Sequence, residues 1–144
     1  MKNESEWTAL SNPETERSLR GALAADGFEL SRQRSFGETG VDIVAVKGKE
    51  TFHIEVIGYK KSPPQRSRDF FEAFFRVVSR LDQGASRCVM ALPRPFEAGL
   101  PARVRQYRTA WERIAEAFPE LEIWLVDSGS GSFEVTRWAD WLNR

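Results

Sequence analysis

Apolar and polar side chains alternate strictly over two short stretches of this chain, and apolar residues recur at helical spacing over three longer ones. Thr51 to Tyr59 alternates, with Phe52, Ile54 and Val56 pointing one way and His53, Glu55, Ile57 and Tyr59 the other. Phe28 to Arg34 alternates like a strand with one solvated face. Val41 to Val46 is a β-branched, mostly apolar run of the kind expected for a strand buried on both faces. The polar Lys47-Gly48-Lys49-Glu50 joins it to the next strand as a turn. The first helical pattern starts at Asn12-Pro13, with Asn12 as N-cap and Leu19, Ala22, Leu23 and Ala25 as its stripe, and Gly27 ends it. The second runs from Ser67 to Gln83 after the break Ser62-Pro63-Pro64-Gln65, with Phe70, Phe74, Val77, Val78 and Leu81 facing the core and Phe71 and Phe75 widening the stripe. The third runs from Pro101 to Phe118 on Val104, Tyr107, Trp111, Ile114 and Phe118. Arg87–Leu92, Leu121–Val126 and Phe133–Thr136 complete the strands, and Trp138 to Leu142 closes the chain as a helical turn.

The element order is α, β, β, β, α, β, α, β, β. It predicts a single α/β domain, residues 13–144, with a mixed central sheet flanked by helices, after a loose lead-in over residues 1–12. The 144 residues suffice for one real core, and 41% hydrophobic composition argues against overall disorder. The single cysteine, Cys88, lies in the apolar run Cys88–Leu92, which suggests a buried, inert thiol in a reducing compartment. One cysteine and one histidine exclude a Cys/His zinc site within one chain. The first ten residues lack the apolar core of a signal peptide, and no apolar run approaches membrane-spanning length. The expectation is a soluble cytoplasmic protein with no membrane partner.

Two acidic residues interrupt these strands. Asp42 stands at the start of one and Glu55 near the middle of the next. A carboxylate inside an apolar strand is costly by several kcal/mol unless paired, protonated or metal-bound. Two readings stay open here. Asp42 caps the strand entrance and Glu55 pairs with an arginine, or the two form a site. Charge distribution bears on the choice. Residues 1–56 hold 7 Lys/Arg against 10 Asp/Glu, residues 57–113 hold 12 against 5, and residues 114–144 hold 2 against 6. The basic excess follows Glu55 directly and suits a polyanionic partner, with Arg66, Arg68, Arg76 and Arg80 as candidate nucleic-acid contacts. His53 shares the face of Glu55, and a hydrogen-bonded structural role is preferred for it over that of a base or ligand.

Gly40-Val41-Asp42, twelve further residues, then Glu55-Val56-Ile57, together with the element order from Glu14 to Val126, resembles the restriction-endonuclease-like PD-(D/E)xK nuclease superfamily. The resemblance implies an αβββαβ core and a Mg2+ or Mn2+ site. Its ligands would be Asp42, Glu55, the backbone carbonyl of Val56 and the first-helix acid Glu16. The family lysine position is occupied by Ile57, so Lys60 or Lys61 becomes the candidate relocated catalytic lysine, with Gln65, Arg68 or Arg76 as partial substitutes. The reading that follows is a nuclease-like protein that binds nucleic acid, DNA before RNA, and carries a degenerate site for metal-dependent phosphodiester hydrolysis. A homodimer is compatible with it. The alternative is a catalytically inactive nuclease-fold domain serving as a nucleic-acid-binding or protein-assembly module, and a third is an interaction protein whose basic helices meet an acidic partner.

Overall fold

The computed structural model describes residues 9–34 and 40–144. The strands are β1 Glu29–Leu30, β2 Ile43–Lys47, β3 Glu50–Val56, β4 Arg87–Pro93, β5 Leu121–Asp127 and β6 Ser132–Arg137. The α-helices are α1 Asn12–Ala25, α2 Pro63–Ser79, α3 Leu100–Gln106 and α4 Arg108–Ala117, and shorter 3-10 segments follow α2, precede α3 and end the chain. Among the described residues the strands form one mixed sheet in the order β1-β2-β3-β4-β5-β6. The first three pair antiparallel, β3-β4 and β4-β5 are parallel, and β5-β6 is antiparallel. The parallel pairs are those joined by helical crossovers, as the chain order requires.

The alternation of β3 sorts two cores onto the two faces. Phe52, Ile54 and Val56 join Ile43, Ala45, Val89, Ala91 and Trp124 under Leu19 and Leu23 of α1. Ile57 and Tyr59 join Met90, Leu92, Ile123 and Leu125 under Phe70, Ala73 and Val77 of α2. Each Val, Leu, Ile, Phe or Met among them, fully buried, contributes roughly 1.5–3 kcal/mol. Only one face of β2 is fully buried, because Val44 and Val46 are partly exposed on the α2 side. The expected strand over Phe28–Arg34 shrinks to Glu29–Leu30, after which the Ser31 N–H bonds the Val44 carbonyl and its hydroxyl accepts from the Val44 N–H.

The helix boundaries differ from the sequence expectation for local reasons. Ser11, not Asn12, caps α1: its Oγ accepts the Glu14 N–H and its own N–H donates to the Glu14 carboxylate, a capping box. Asn12 is thereby released, and its Oδ1 accepts from the Gly58 N–H at 2.6 Å and from Lys60 Nζ at 3.0 Å. Gly58 allows this approach, since a Cβ there would lie 2.2 Å from the Leu10 carbonyl oxygen. Leu10 and Tyr59 exchange two backbone hydrogen bonds, so the end of the expected lead-in is part of the fold; Trp7 and Phe36 to Thr39 lie outside the described residues. Helix α2 starts one turn early, at Pro63, because proline is well suited to the first helical position. Gly84, with φ of 76°, stops the turn that follows α2. The expected third helix breaks in two at Tyr107, where φ −122° and ψ 40° leave the helical region. Among the described residues, no helix is long and apolar enough to cross a membrane.

Candidate carboxylate–arginine site

The β2-β3 register sets Ile43 against Ile54, which places Asp42 directly opposite Glu55 on the α2 face. Asp42 precedes the ladder and replaces its next bond, its Oδ2 accepting the Val56 N–H at 2.8 Å. Its Oδ1 meets the guanidinium of Arg34. Glu55 is 3% exposed, and its Oε1 accepts from Arg80 Nε at 2.9 Å and Nη2 at 2.7 Å. Arg80 reaches it from the turn that tightens the end of α2. Burial first, and then the charge of Asp42, push the Glu55 carboxyl up to about 7, against the opposing pull of Arg80. A carboxyl–carboxyl hydrogen bond with Asp42 adds to the rise, since it exists only when one of the two is protonated.

Glu16, the third candidate ligand, is held by Arg20 at 2.8 Å. The same guanidinium donates to the carbonyls of Ser31 at 2.6 Å and Asp42 at 3.1 Å. A cation therefore stands between Glu16 and the Asp42 strand. Val56 offers Asp42 its N–H. Among the described residues no group of three or more His, Cys, Asp or Glu side chains is arranged to hold a metal ion.

The candidate lysines are not brought to this pair. Lys60 reaches Asn12 at 3.0 Å and Asp69 at 3.6 Å, beside the start of α2. Lys61 is exposed at the same end. Arg80 follows the opposite end of α2, a helix roughly 25 Å long. Ile57, at the family lysine position, is 3% exposed in the α2-face core.

The candidate nucleic-acid arginines divide. Arg66 is 6% exposed, donates to the carbonyls of Lys60 and Lys61, and lies 4.5 Å over the Tyr59 ring. Arg80 is committed to Glu55 instead of standing on the polar side of its helix. Both are thus interior anchors, since a buried guanidinium requires internal acceptors. Arg68 is exposed, as is Arg76, which pairs loosely with Glu72 at 3.3 Å. His53 differs from its expected hydrogen-bonded role, because its buried Nδ1 has no partner among the described residues. Burial and then the charge of Arg80 lower its pKa, which disfavours the imidazolium.

Several participants escaped the sequence reading. Arg34 and Arg20 carry no local signal for their roles, which depend on tertiary approach. Glu122 did carry one, since it sits in the apolar run Leu121–Val126 just as Glu55 sits in β3. It is 1% exposed, accepts Trp124 Nε1 at 2.9 Å and meets Arg87. Comparisons with protein-family models, with curated proteins and with solved structures found no match.

Proposed function

We propose that this chain is a restriction-endonuclease-like αβββαβ module that binds nucleic acid, DNA before RNA, without hydrolysing it. The observation that carries this reading is the pairing of every candidate metal-binding carboxylate with an arginine: Asp42 with Arg34, Glu55 with Arg80 and Glu16 with Arg20. A hard divalent cation needs several free oxygen ligands. Here a guanidinium occupies one oxygen of each carboxylate, and among the described residues no group of three or more His, Cys, Asp or Glu side chains is arranged to hold a metal ion. Ile57 is packed in the core where the family places its catalytic ammonium. The excess of basic residues in 57–113 remains, with Arg68 and Arg76 exposed to meet phosphates.

A second reading is favoured by the placement of Asp42 directly opposite Glu55. In it the domain is a Mg2+- or Mn2+-dependent nuclease whose arginines leave the carboxylates when substrate arrives. Anisotropy with labelled duplex, branched and single-stranded DNA, run beside cleavage of the same substrates in Mg2+ or Mn2+, tests both readings. The expected result is binding that weakens steeply with salt, by roughly 0.9 log units per phosphate contact for each log unit of salt on duplex DNA. Arg68→Ala and Arg76→Ala weaken it uniformly across sequences, and no cleavage occurs. Cleavage lost in Asp42→Asn and Glu55→Gln would overturn the first reading in favour of the second, and no binding at low salt would overturn both.

A further inference from the structure

Among the described residues, the helical layer presents an exposed aromatic face. Phe75 is 70% exposed, Phe71 44% and Tyr107 42%. Soluble domains rarely leave such a cluster bare without a use for it. Between α2 and α4 the cluster opens into a cavity of about 130 Å³, walled by Phe71, Phe74, Tyr107, Ala110 and Ile114 and floored by Trp111 and Trp138. The floor is rigid: the two indoles stack at 3.8 Å, and each Nε1–H donates to the other residue's carbonyl, at 2.9 and 3.1 Å. Their polar handles are thus satisfied internally. A second cavity of about 340 Å³ lies beyond the edge-to-face pair Phe71–Tyr107 and borders Ser67, Ala102 and Gln106.

The rim is cationic. Arg68 lies three residues before Phe71 and Arg113 three after Ala110, so each shares a helix face with a wall residue. Arg76 and Arg108 pair with Glu72 and Glu112 of their own helices. By contrast, Arg68 and Arg113 are exposed and have no carboxylate partner among the described residues. We propose that this groove is a docking site for an acidic amphipathic helix of a protein partner. One apolar side chain fills the smaller cavity, and carboxylates one turn either side meet Arg68 and Arg113. This is the helix-in-groove mode with charge complementarity at the rim. A nucleobase in the same cavity would leave its hydrogen-bonding edges unsatisfied against hydrocarbon.

The test uses the full chain and a designed helical peptide with Leu and Trp at i, i+3, i+4 and i+7 and Glu elsewhere, beside a twin with Lys for Glu. Fluorescence anisotropy is expected to show the acidic peptide binding at least about tenfold more tightly. Ala110→Phe, which fills the cavity, weakens it by about tenfold or more. Arg68→Glu with Arg113→Glu transfers the preference to the Lys twin. If Ala110→Phe does not fold, Phe71→Ala, which removes a wall of the cavity without adding charge, replaces it, with the same loss expected. Equal binding of the twins, absence of binding, or binding indifferent to the cavity variants overturns the proposal. Self-association of the chain that Ala110→Phe abolishes also overturns it, by assigning the face to a second copy.

Discussion

Glu55 and Glu122 make a controlled comparison within one sheet. Each lies inside an apolar strand, each is almost completely buried, and each is met by an arginine. They sit on opposite faces, Glu55 towards α2 and Glu122, by strand parity with Trp124, towards α1. Glu122 divides its donors between its two oxygens, Trp124 Nε1–H on Oε1 and Arg87 on Oε2. Glu55 receives both Arg80 bonds on Oε1, and a second carboxyl, Asp42, stands opposite. Burial alone therefore does not distinguish a structural carboxylate from a site. The facing acid does, because the charge of Asp42 adds to burial in disfavouring the ionised form of Glu55.

The largest effect expected is from removing the arginines one at a time. Arg87→Ala leaves the buried Glu122 carboxyl with a single indole N–H as donor, and unfolding in urea at neutral pH should register a loss of about 3 kcal/mol. Arg80→Ala should be milder, about 1 kcal/mol. Glu55 is already near half-protonated at neutral pH, so raising its pKa further adds only about 0.4 kcal/mol of ionisation cost, and the remainder is lost hydrogen bonding. Equal losses for the two variants would break the comparison.

The pH dependence sharpens it. The folded pKa of Glu55 lies above its ordinary value of 4.5, so the bound proton favours the fold. That contribution is complete below 4.5 and disappears as pH rises through about 7. The stability of wild type relative to Glu55→Gln should therefore decline across that window, by an amount on the order of 3 kcal/mol. A flat difference would show that Glu55 ionises without penalty. Smaller still is the effect of Asp42→Asn on Glu55 itself. Removing the facing charge should lower the Glu55 pKa, read from its carboxyl carbon resonance. An unmoved titration would assign the whole rise to burial.

Periodicity carried much of the fold. The alternation of β3 placed Phe52, Ile54 and Val56 on one face and Glu55 with Ile57 on the other, and the structure sorts them into two cores in that way. Asp42 and Glu55 stood out because charge within an apolar run is visible in any sequence. Their partners did not, since Arg34, Arg20 and Arg80 are ordinary arginines until the chain folds and brings them to a carboxylate. Phe71 and Phe75 read as core by spacing, yet α2 turns them outward because Phe70, Ala73 and Val77 already fill the contact with the sheet. The break at Tyr107 and the early start at Pro63 were hidden for a related reason. Helical spacing continues through the first, and a proline pair resembles a stop as readily as a start.

Arginines hold Asp42, Glu55 and Glu16, the carboxylates proposed as metal ligands. A calorimetric titration with Mn2+ tests this pairing most directly, comparing wild type with the Arg34→Ala/Arg80→Ala double variant. Wild type should show no saturable site. The double variant should gain one, and adding Asp42→Asn should abolish it again. Saturable Mn2+ binding by wild type that Asp42→Asn removes would contradict the account.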